Sequence, residues 1–220
     1  MELTLDLGGE NALTLQVVQL FLLITVLSLA PGILIMVTCF PFMVTVLSIL
    51  RQAVGVQQAP PNMMIVSLAL FLTYFVMAPV FEEAWEAGIG PMTRGEMAAD
   101  QAFEATMAPF EAFMTGRTDP ATITALAEAA PTAAPPPEAE TPLSLLIPAF
   151  LLSEVKRGFE VGFLVFLPFL VIDLVVASIL MSMGMMMVPP AIVSLPFKLA
   201  FFVVADGWTL LAGALVRGYG

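Results

Sequence analysis

The sequence predicts an all-α, membrane-associated protein made of helical hairpins whose helices are kinked or broken by proline. Hydrophobic residues make up 60% of the 220 residues, against roughly 45–50% in soluble domains. Charges are absent between Glu10 and Arg51 and again between Arg51 and Glu82. Each of these runs exceeds the roughly 20 residues that span a bilayer as a helix. Prolines recur within the apolar runs, where they kink or end helices.

The charge distribution divides the chain into three predicted segments. Residues 82–142 hold eleven acidic residues and two basic ones, which accounts for most of the formal charge of −11. We expect this acidic insertion to contain one or two amphipathic helices in its first part and an Ala/Pro-rich linker over 131–142. Residues 1–81 are predicted to form the N-terminal helices and the first hairpin. Residues 143–220 are predicted to form the C-terminal helices and the second hairpin.

The N-terminal segment is predicted to make one bent apolar excursion over residues 13–50. The predicted breaks are at Pro31-Gly32 and at Pro41, since proline removes a helical hydrogen bond. Residues 1–11 lack the positively charged region of an intact secretory signal, so we do not interpret them as one.

The polar stretch RQAVGVQQAPPN is the predicted tip of the first hairpin. It starts at Arg51, and its diproline, Pro60 and Pro61, cannot continue a helix. Basic residues in short loops stay cytoplasmic, whereas long acidic loops translocate largely regardless of charge. Arg51 therefore predicts a cytoplasmic first tip and a periplasmic acidic insertion.

The C-terminal segment starts with residues 143–150, an apolar stretch that is too short to span a bilayer, and continues into an amphipathic passage. A long apolar segment over 163–187 follows, interrupted by Pro168. Pro189 and Pro190 then mark the tip of the second hairpin before the last apolar segment. We expect the two hairpins to point the same way.

The amphipathic passage carries charges at helical spacing. Glu154 is paired with Arg157, and Lys156 with Glu160, by the spacing of their positions on a helix. Gly158 begins a G-x-x-x-G spacing, which allows another helix to approach closely.

Five charged residues lie in or beside apolar stretches of the C-terminal segment, where an unpaired charge costs several kcal/mol. Each needs a partner or a watery cavity. Pairing between packed helices or between subunits is the favoured interpretation. The alternative is a small-solute or ion carrier in which Asp173 and Asp206 bind the coupling ion. The five residues are Glu154, Arg157, Asp173, Lys198 and Asp206.

A methionine-rich stretch precedes the second diproline and includes Met181, Met183, Met185, Met186 and Met187. Three consecutive side chains cannot all face one helix-packing surface, so some of the last three should project from a turn. Methionine adapts to irregular surfaces, and a ring of methionines could close as a gasket around a variable chain. From these residues alone, ordinary core packing is favoured over a gasket.

The residues that most enzymes and metal sites use are scarce. The chain has no histidine and one cysteine, Cys39, which lies in an apolar run and is expected to be a small buried hydrophobe. We find no phosphate loop, nucleophile elbow or zinc-ligand spacing. We therefore expect no enzyme activity, no cofactor and no metal site. The lack of a basic patch argues against nucleic acid as a partner.

Four stretches of the sequence, in chain order, carry a resemblance to a known family. They are PGILIMVTCFPFMVTVLSILRQAVGVQQAPPN, SLALFLTYFVMAPVF, PAFLLSEVKRGFEVGFLVFLPFLVIDLVVASILMSMGMMMVPP and SLPFKLAFFVVADGW. Together they resemble the FliP family of flagellar export gates, which is related to the SctR proteins of injectisomes. The MMMVPP ending of the third stretch favours the flagellar branch.

The resemblance implies that several copies assemble with FliQ- and FliR-type subunits into a closed helical pore, on which FlhB- and FlhA-type components act. Unfolded flagellar subunits would be the exported substrates, and the flagellar basal body in the bacterial inner membrane the location. Met185 to Met187 match the methionine loop that seals the pore in this family, so the resemblance makes the gasket their expected role. The resemblance also implies that the assembled gate is lifted largely out of the bilayer.

Overall fold

The computed structural model describes residues 10–55, 60–129 and 141–219, and every regular element in these ranges is a helix, which confirms the all-α prediction. Residues 1–9, the middle of the first predicted tip and most of the predicted linker over 131–142 lie outside these ranges. The helices are α1 (Glu10–Met36), α2 (Phe40–Val54), α3 (Asn62–Ala84), α4 (Gly90–Thr93), α5 (Ala99–Arg117), α6 (Pro120–Ala129), α7 (Leu143–Ser182), α8 (Pro190–Val204) and α9 (Gly207–Arg217). One π-helical turn, Trp85–Ile89, joins α3 to α4.

The first apolar run breaks at one place, and the predicted break at Pro31-Gly32 is wrong. α1 continues through Pro31 to Met36, and α2 begins four residues later. At the junction, the Thr38 hydroxyl donates to the Ile35 carbonyl at 3.0 Å and accepts the Phe40 N–H at 3.4 Å. These bonds replace helical ones locally. Pro41 lies in the first turn of α2, where a missing N–H leaves no helical bond unmade.

The C-terminal segment contains one long helix where the sequence predicted a short stretch followed by an interrupted one. α7 runs for 40 residues, roughly 60 Å at the usual helical rise, and includes both Pro148 and Pro168. Each proline removes one hydrogen bond, and the chain on both sides of each proline is nevertheless helical. Residues 143–150 are therefore the first turns of a helix that is long enough to span.

Three helices in the described ranges are long and apolar enough to cross a membrane. They are Gln16–Met36, Asn62–Thr93 and Leu143–Ser182. α8 and α9 pass the same test only as a pair, and they meet at an angle of 61°. This agrees with a membrane protein whose last span is broken.

α7 packs closely against α2 at two glycines. A Cβ atom on Gly158 would lie 3.0 Å from the Thr45 Cβ atom, and one on Gly162 would lie 2.3 Å from Ile49 Cδ1 and 3.1 Å from Ile49 Cβ. The G-x-x-x-G spacing therefore operates within the chain. From the first contact to the second, the residue number rises by four on both helices, so α2 and the first half of α7 run in the same direction. We call these four residues the glycine seam.

The core lies around α2 and draws on α3, α5 and α7. Val46, Leu47 and Leu50 of α2 are buried, as are Met77 of α3 and Phe150 of α7. The acidic insertion supplies part of this core through two aromatic contacts. The ring centroids of Phe110 and Phe81 are 5.9 Å apart, and those of Phe113 and Phe150 are 5.8 Å apart. Apolar residues on one side of α5 therefore pack the insertion against α3 and α7.

Replacement of Gly162 by alanine should destabilise the fold, because the new methyl group would overlap Ile49 and force α2 and α7 apart. We expect a loss of about 1–3 kcal/mol in the free energy of unfolding, the usual range for overpacking. Thermal unfolding of the purified chain in detergent measures this loss of stability.

Gly116→Ala in α5 is the matched control, because no atom lies within 4 Å of its added Cβ. The control should be neutral or stabilising by roughly 0.5–1 kcal/mol. Equal melting temperatures for both variants would contradict the seam.

Candidate functional site

The end of α7 is shaped by a tight helix cap that turns the chain toward α8. Gly184 adopts a positive φ of 75°. Its N–H donates to the Met181 carbonyl at 3.1 Å, and the Met185 N–H donates to the Leu180 carbonyl at 2.9 Å. These two bonds form a Schellman cap, in which glycine takes the left-handed position at no steric cost. The cap fixes the direction in which the following methionines leave the helix.

The three consecutive methionines then form a turn of their own. The Val188 N–H donates to the Met185 carbonyl at 3.3 Å, so Met186 and Met187 occupy the two central positions. We call residues 185–188 the methionine turn. Met186 is 83% exposed and Met187 is 98% exposed in this chain, whereas Met185 is 42% exposed. Two of the three side chains therefore project away from the protein.

Met185 differs from its neighbours because it faces the groove between α7 and α8. This groove has a volume of about 500 Å³ and is lined by apolar side chains only. Met183 also lines it, together with Val175 and Ile179 of α7 and Phe197 of α8. Met185 is thus placed to hold the methionine turn against the hairpin.

The first hairpin has its tip at the same end of the protein. α2 ends at Val54, and the next residue, Gly55, has a φ of 83° and donates its N–H to the Gln52 carbonyl. Arg51 donates to the Asn62 side chain and lies 3.5 Å from the Pro60 carbonyl, so it crosses the tip. Pro61 precedes the first residue of α3. Residues 56–59 lie outside the described ranges.

An ion pair between a buried lysine and a partly buried aspartate joins the two hairpins. The Lys198 Nζ atom of α8 lies 2.6 Å from Asp173 Oδ2 of α7 and donates to the Ala53 carbonyl of α2 at 3.0 Å. Ser194 donates to Asp173 Oδ1 at 2.5 Å. Lys198 is only 5% exposed, and its charge lies at the carboxyl end of α2, where the helix dipole favours a cation. We call these four residues the tip cluster.

The tip cluster also shows how far the second hairpin extends. Lys198, which contacts the end of α2, lies eight residues after Pro190 along α8. At a rise of 1.5 Å per residue, the methionine turn lies roughly 12 Å beyond the level of Lys198. Pro189 and Pro190 restart the helix there, with Pro190 in the first turn of α8. The second tip therefore projects past the end of α2.

A second polar cluster surrounds Glu154, whose side chain is fully buried. Oε1 lies 3.2 Å from Arg117 Nε and 3.7 Å from Arg157 Nη1, and Oε2 accepts a hydrogen bond from the Tyr219 hydroxyl. Arg117 also stacks on the Tyr219 ring, with its Cζ atom 3.8 Å from the ring centroid. We call Arg117, Glu154, Arg157 and Tyr219 the Glu154 cluster. Two arginines and a hydroxyl donor offset the desolvation of the buried carboxylate.

Sequence reasoning missed Arg117 and Tyr219. One signal was available, because Arg117 is one of two basic residues in an insertion with eleven acids. An isolated base in such a segment is a candidate partner for a buried acid elsewhere. Tyr219 gave no comparable signal, because its contact with Glu154 joins residues 65 positions apart.

The predicted pair Lys156–Glu160 does not form, and Lys156 contacts the corner between α5 and α6 instead. Its Nζ atom lies 2.9 Å from Asp119 Oδ2, and the Asp119 N–H donates to Ser153 Oγ at 3.0 Å. The hydrogen bond from Lys156 lowers the pKa of Asp119 below its usual value. Asp119 therefore favours folding above its usual pKa, and this contribution disappears as the pH falls through the lowered value.

Asp206 differs from the expectation of a buried charge, because its side chain is exposed in this chain. It lies at the bend between α8 and α9 with a positive φ of 48°. Its Oδ1 atom accepts a hydrogen bond from the Thr209 hydroxyl at 3.0 Å. Aspartate tolerates this backbone conformation better than most residues, so the bend explains its position.

In the described part of the chain, the polar side chains discussed above form ion pairs and hydrogen bonds that hold helices together. Within it, no group of three or more histidine, cysteine, aspartate or glutamate residues could hold a metal ion. Cys39 is buried, with its Sγ atom 4.0 Å from the Thr73 carbonyl. The feature that differs from the rest is the methionine turn, which exposes apolar side chains at the tip of a hairpin that the tip cluster joins to α2.

Comparison with known proteins gives one consistent result. The model of the FliP family matches residues 23–215. A flagellar biosynthetic protein FliP from Caulobacter vibrioides is 55% identical over 215 residues, which cover 98% of this chain and 81% of that protein. A FliP protein from Rhizobium meliloti is 48% identical over 205 residues, covering 92% and 84%. One from Bacillus subtilis is 44% identical over 202 residues, covering 92% and 91%.

Lys198→Met should destabilise the hairpin pair, because Asp173 would lose its counter-ion and the end of α2 its cation. We expect a loss of about 2–3 kcal/mol, below the usual range for a broken buried pair because Asp173 remains 31% exposed. Thermal unfolding in detergent measures it. Lys156→Met, which breaks an exposed pair, should leave the melting temperature close to that of the unchanged chain.

Addition of Asp173→Asn to Lys198→Met provides the check on the tip cluster. The neutral asparagine no longer needs a counter-ion, so the double variant should recover part of the lost stability. Strictly additive losses would show that Asp173 and Lys198 do not act as a pair.

Proposed function

This chain belongs to the FliP family, and on that premise we propose that it is a pore-forming subunit of the flagellar type III export gate. The family makes it a membrane component of the flagellar export apparatus. The finer proposal is that several copies assemble with FliQ- and FliR-type partners into a protein-conducting pore. FlhB- and FlhA-type components would act on this pore, and unfolded flagellar subunits would pass through it. The observation that carries the proposal is the exposed methionine turn, which follows directly on the helix cap at the end of α7.

The exposed apolar surface supports assembly with neighbouring protein. Along α7, Phe159, Phe163, Leu174 and Ile179 are each more than half exposed in the isolated chain. Such a surface needs lipid or protein to cover it. The buried Glu154 and Lys198 favour protein neighbours, because helices with interior charges and prolines suit packing against protein better than contact with lipid on all sides.

The methionine turn is suited to closing a pore around chains of differing sequence. Met186 and Met187 project from the tip, and their flexible, unbranched side chains can adapt to irregular surfaces. Several copies arranged around an axis would bring these side chains together as an apolar ring. Such a ring excludes hydrated ions while it yields to a passing polypeptide.

The two hairpin tips set the proposed orientation. Both lie at one end of the protein, where Arg51 favours the cytoplasmic side of the bacterial inner membrane. The acidic insertion would then lie on the periplasmic side in the flagellar basal body. This arrangement places the methionine turn toward the side from which export substrates enter.

The ion carrier considered as an alternative receives less support from the arrangement of carboxylates. Asp173 is paired with Lys198, so it lacks the free charge that a coupling cation would meet. Asp206 is exposed and holds Thr209 at the bend before α9. Their described partners differ, and these contacts do not bring the two aspartates into one site.

Replacement of both Met186 and Met187 by alanine should make the closed gate leak ions, because the apolar ring would lose most of its volume. Ion flux is measured in cells that express the complete gate and in proteoliposomes that contain it. We expect flux several times that of the unchanged gate, with assembly intact. Met63→Ala, at the start of α3, is the matched control because Met63 is 81% exposed near the other tip. An ion-tight double variant would reject the gasket.

The particle purified in mild detergent tests the pore more broadly. A gate subunit should form a ring of several copies that retains FliQ- and FliR-type partners, as measured by mass and by symmetry in electron micrographs. An ion carrier should purify as a monomer or small oligomer that transports after reconstitution, and Asp173→Asn should abolish that transport. A lone molecule with no central channel would contradict the proposed function.

A further inference from the structure

Tyr219 brings together helices that are far apart in sequence. Its ring packs edge-on against Phe42 of α2, with centroids 5.4 Å apart, and is stacked on Phe113 of α5 at 6.2 Å. Its hydroxyl contacts Glu154 of α7, and Arg117 of α5 covers the other part of the ring. Four helices, α2, α5, α7 and α9, therefore meet through one side chain that follows α9.

The hydroxyl of Tyr219 satisfies an oxygen that the two arginines leave free. Both arginine contacts go to Oε1 of Glu154, whereas Oε2 takes its hydrogen bond from Tyr219. Burial, and then the neighbouring Glu154 carboxylate, raise the pKa of Tyr219, so its hydroxyl remains a proton donor. Loss of this donor would leave one oxygen of a fully buried carboxylate without a partner among the described residues.

Arg117 is the point at which the acidic insertion joins this arrangement. Besides Glu154 and the Tyr219 ring, it donates to the Gly218 carbonyl at 3.2 Å. Its contacts thus involve both α7 and the two residues that follow α9. A change in the position of Tyr219 must alter the stacking, the carbonyl contact and the ion pair of Arg117 together.

We propose that Tyr219 is a positioning residue that latches the acidic insertion onto α7, acting through Arg117 and Glu154. The end of α9 and the corner between α5 and α6 are then coupled and release together. The latch concerns the insertion and does not depend on the pore or on the methionine turn.

Trypsin offers a direct measure of the latch, because the insertion contains two arginines in different environments. The side chain of Arg94 is 58% exposed in a pair with Glu96, whereas that of Arg117 is 17% exposed within the latch. The rate of cleavage after Arg117, divided by the rate after Arg94, reports opening of the latch relative to the rest of the insertion. The cleavage rates are measured on the whole 220-residue chain in detergent, at a temperature at which the chain is folded.

Tyr219→Phe keeps the ring and removes the hydroxyl, so it should raise this ratio about three- to tenfold, the effect of one lost hydrogen bond. Tyr219→Leu also removes the aromatic contacts and should raise the ratio further. Tyr74→Phe is the matched control, because Tyr74 is the other tyrosine and is 68% exposed. It should leave the ratio unchanged.

Two results would overturn the latch. An unchanged ratio in Tyr219→Phe would show that the ring alone matters and that the hydroxyl does not position Arg117. Equal acceleration of cleavage at both arginines would show a general loss of stability with no selective release of the corner. Selective acceleration after Arg117, with an unchanged melting temperature in the Tyr74→Phe control, supports the latch.

Discussion

The close packing of α2 against α7 at the glycine seam is the constraint on which the other features depend. Gly158 and Gly162 let the two helices approach until Thr45 and Ile49 occupy the space of missing side chains. Since the helices run in the same direction, the seam fixes one end of α2 beside Glu154 and directs its other end toward Asp173. Both polar clusters therefore form at distances that the seam has set.

Each of the two clusters joins a different end of α2 to other helices. At one end, Tyr219 and Arg117 join the acidic insertion and the end of α9 to Glu154. At the other end, Lys198 joins α8 to the Ala53 carbonyl of α2 and to Asp173 of α7. Because the seam holds α2 and α7 together, the charges in both clusters keep the partners that offset the cost of their burial. The hairpin α7–α8 is thus held firmly up to Lys198, and the methionine turn projects from that support.

The prediction from sequence succeeded for the helical class, which rests on composition and on local pattern. Apolar runs and prolines predicted the all-α class and placed the turn between α7 and α8 at Pro189 and Pro190. A proline by itself was a poor predictor of where a helix ends, because α1 continues through Pro31 and α7 through Pro168. A proline in a long apolar helix costs one hydrogen bond, and the remaining bonds of the helix can keep it continuous, so a proline does not by itself locate a break.

The sequence by itself determined that the chain is helical and membrane-associated, that its isolated charges need partners, and that consecutive methionines before a diproline must leave the helix. These conclusions follow from composition and from the geometry of a few neighbouring residues. Only the tertiary structure decided the partners. Lys156 pairs with Asp119 and not with Glu160. Glu154 contacts Arg117 and Tyr219 in addition to Arg157, and Asp206 is exposed. Partner choice depends on which helices the core brings within a few ångströms, and sequence distance carries no information about that.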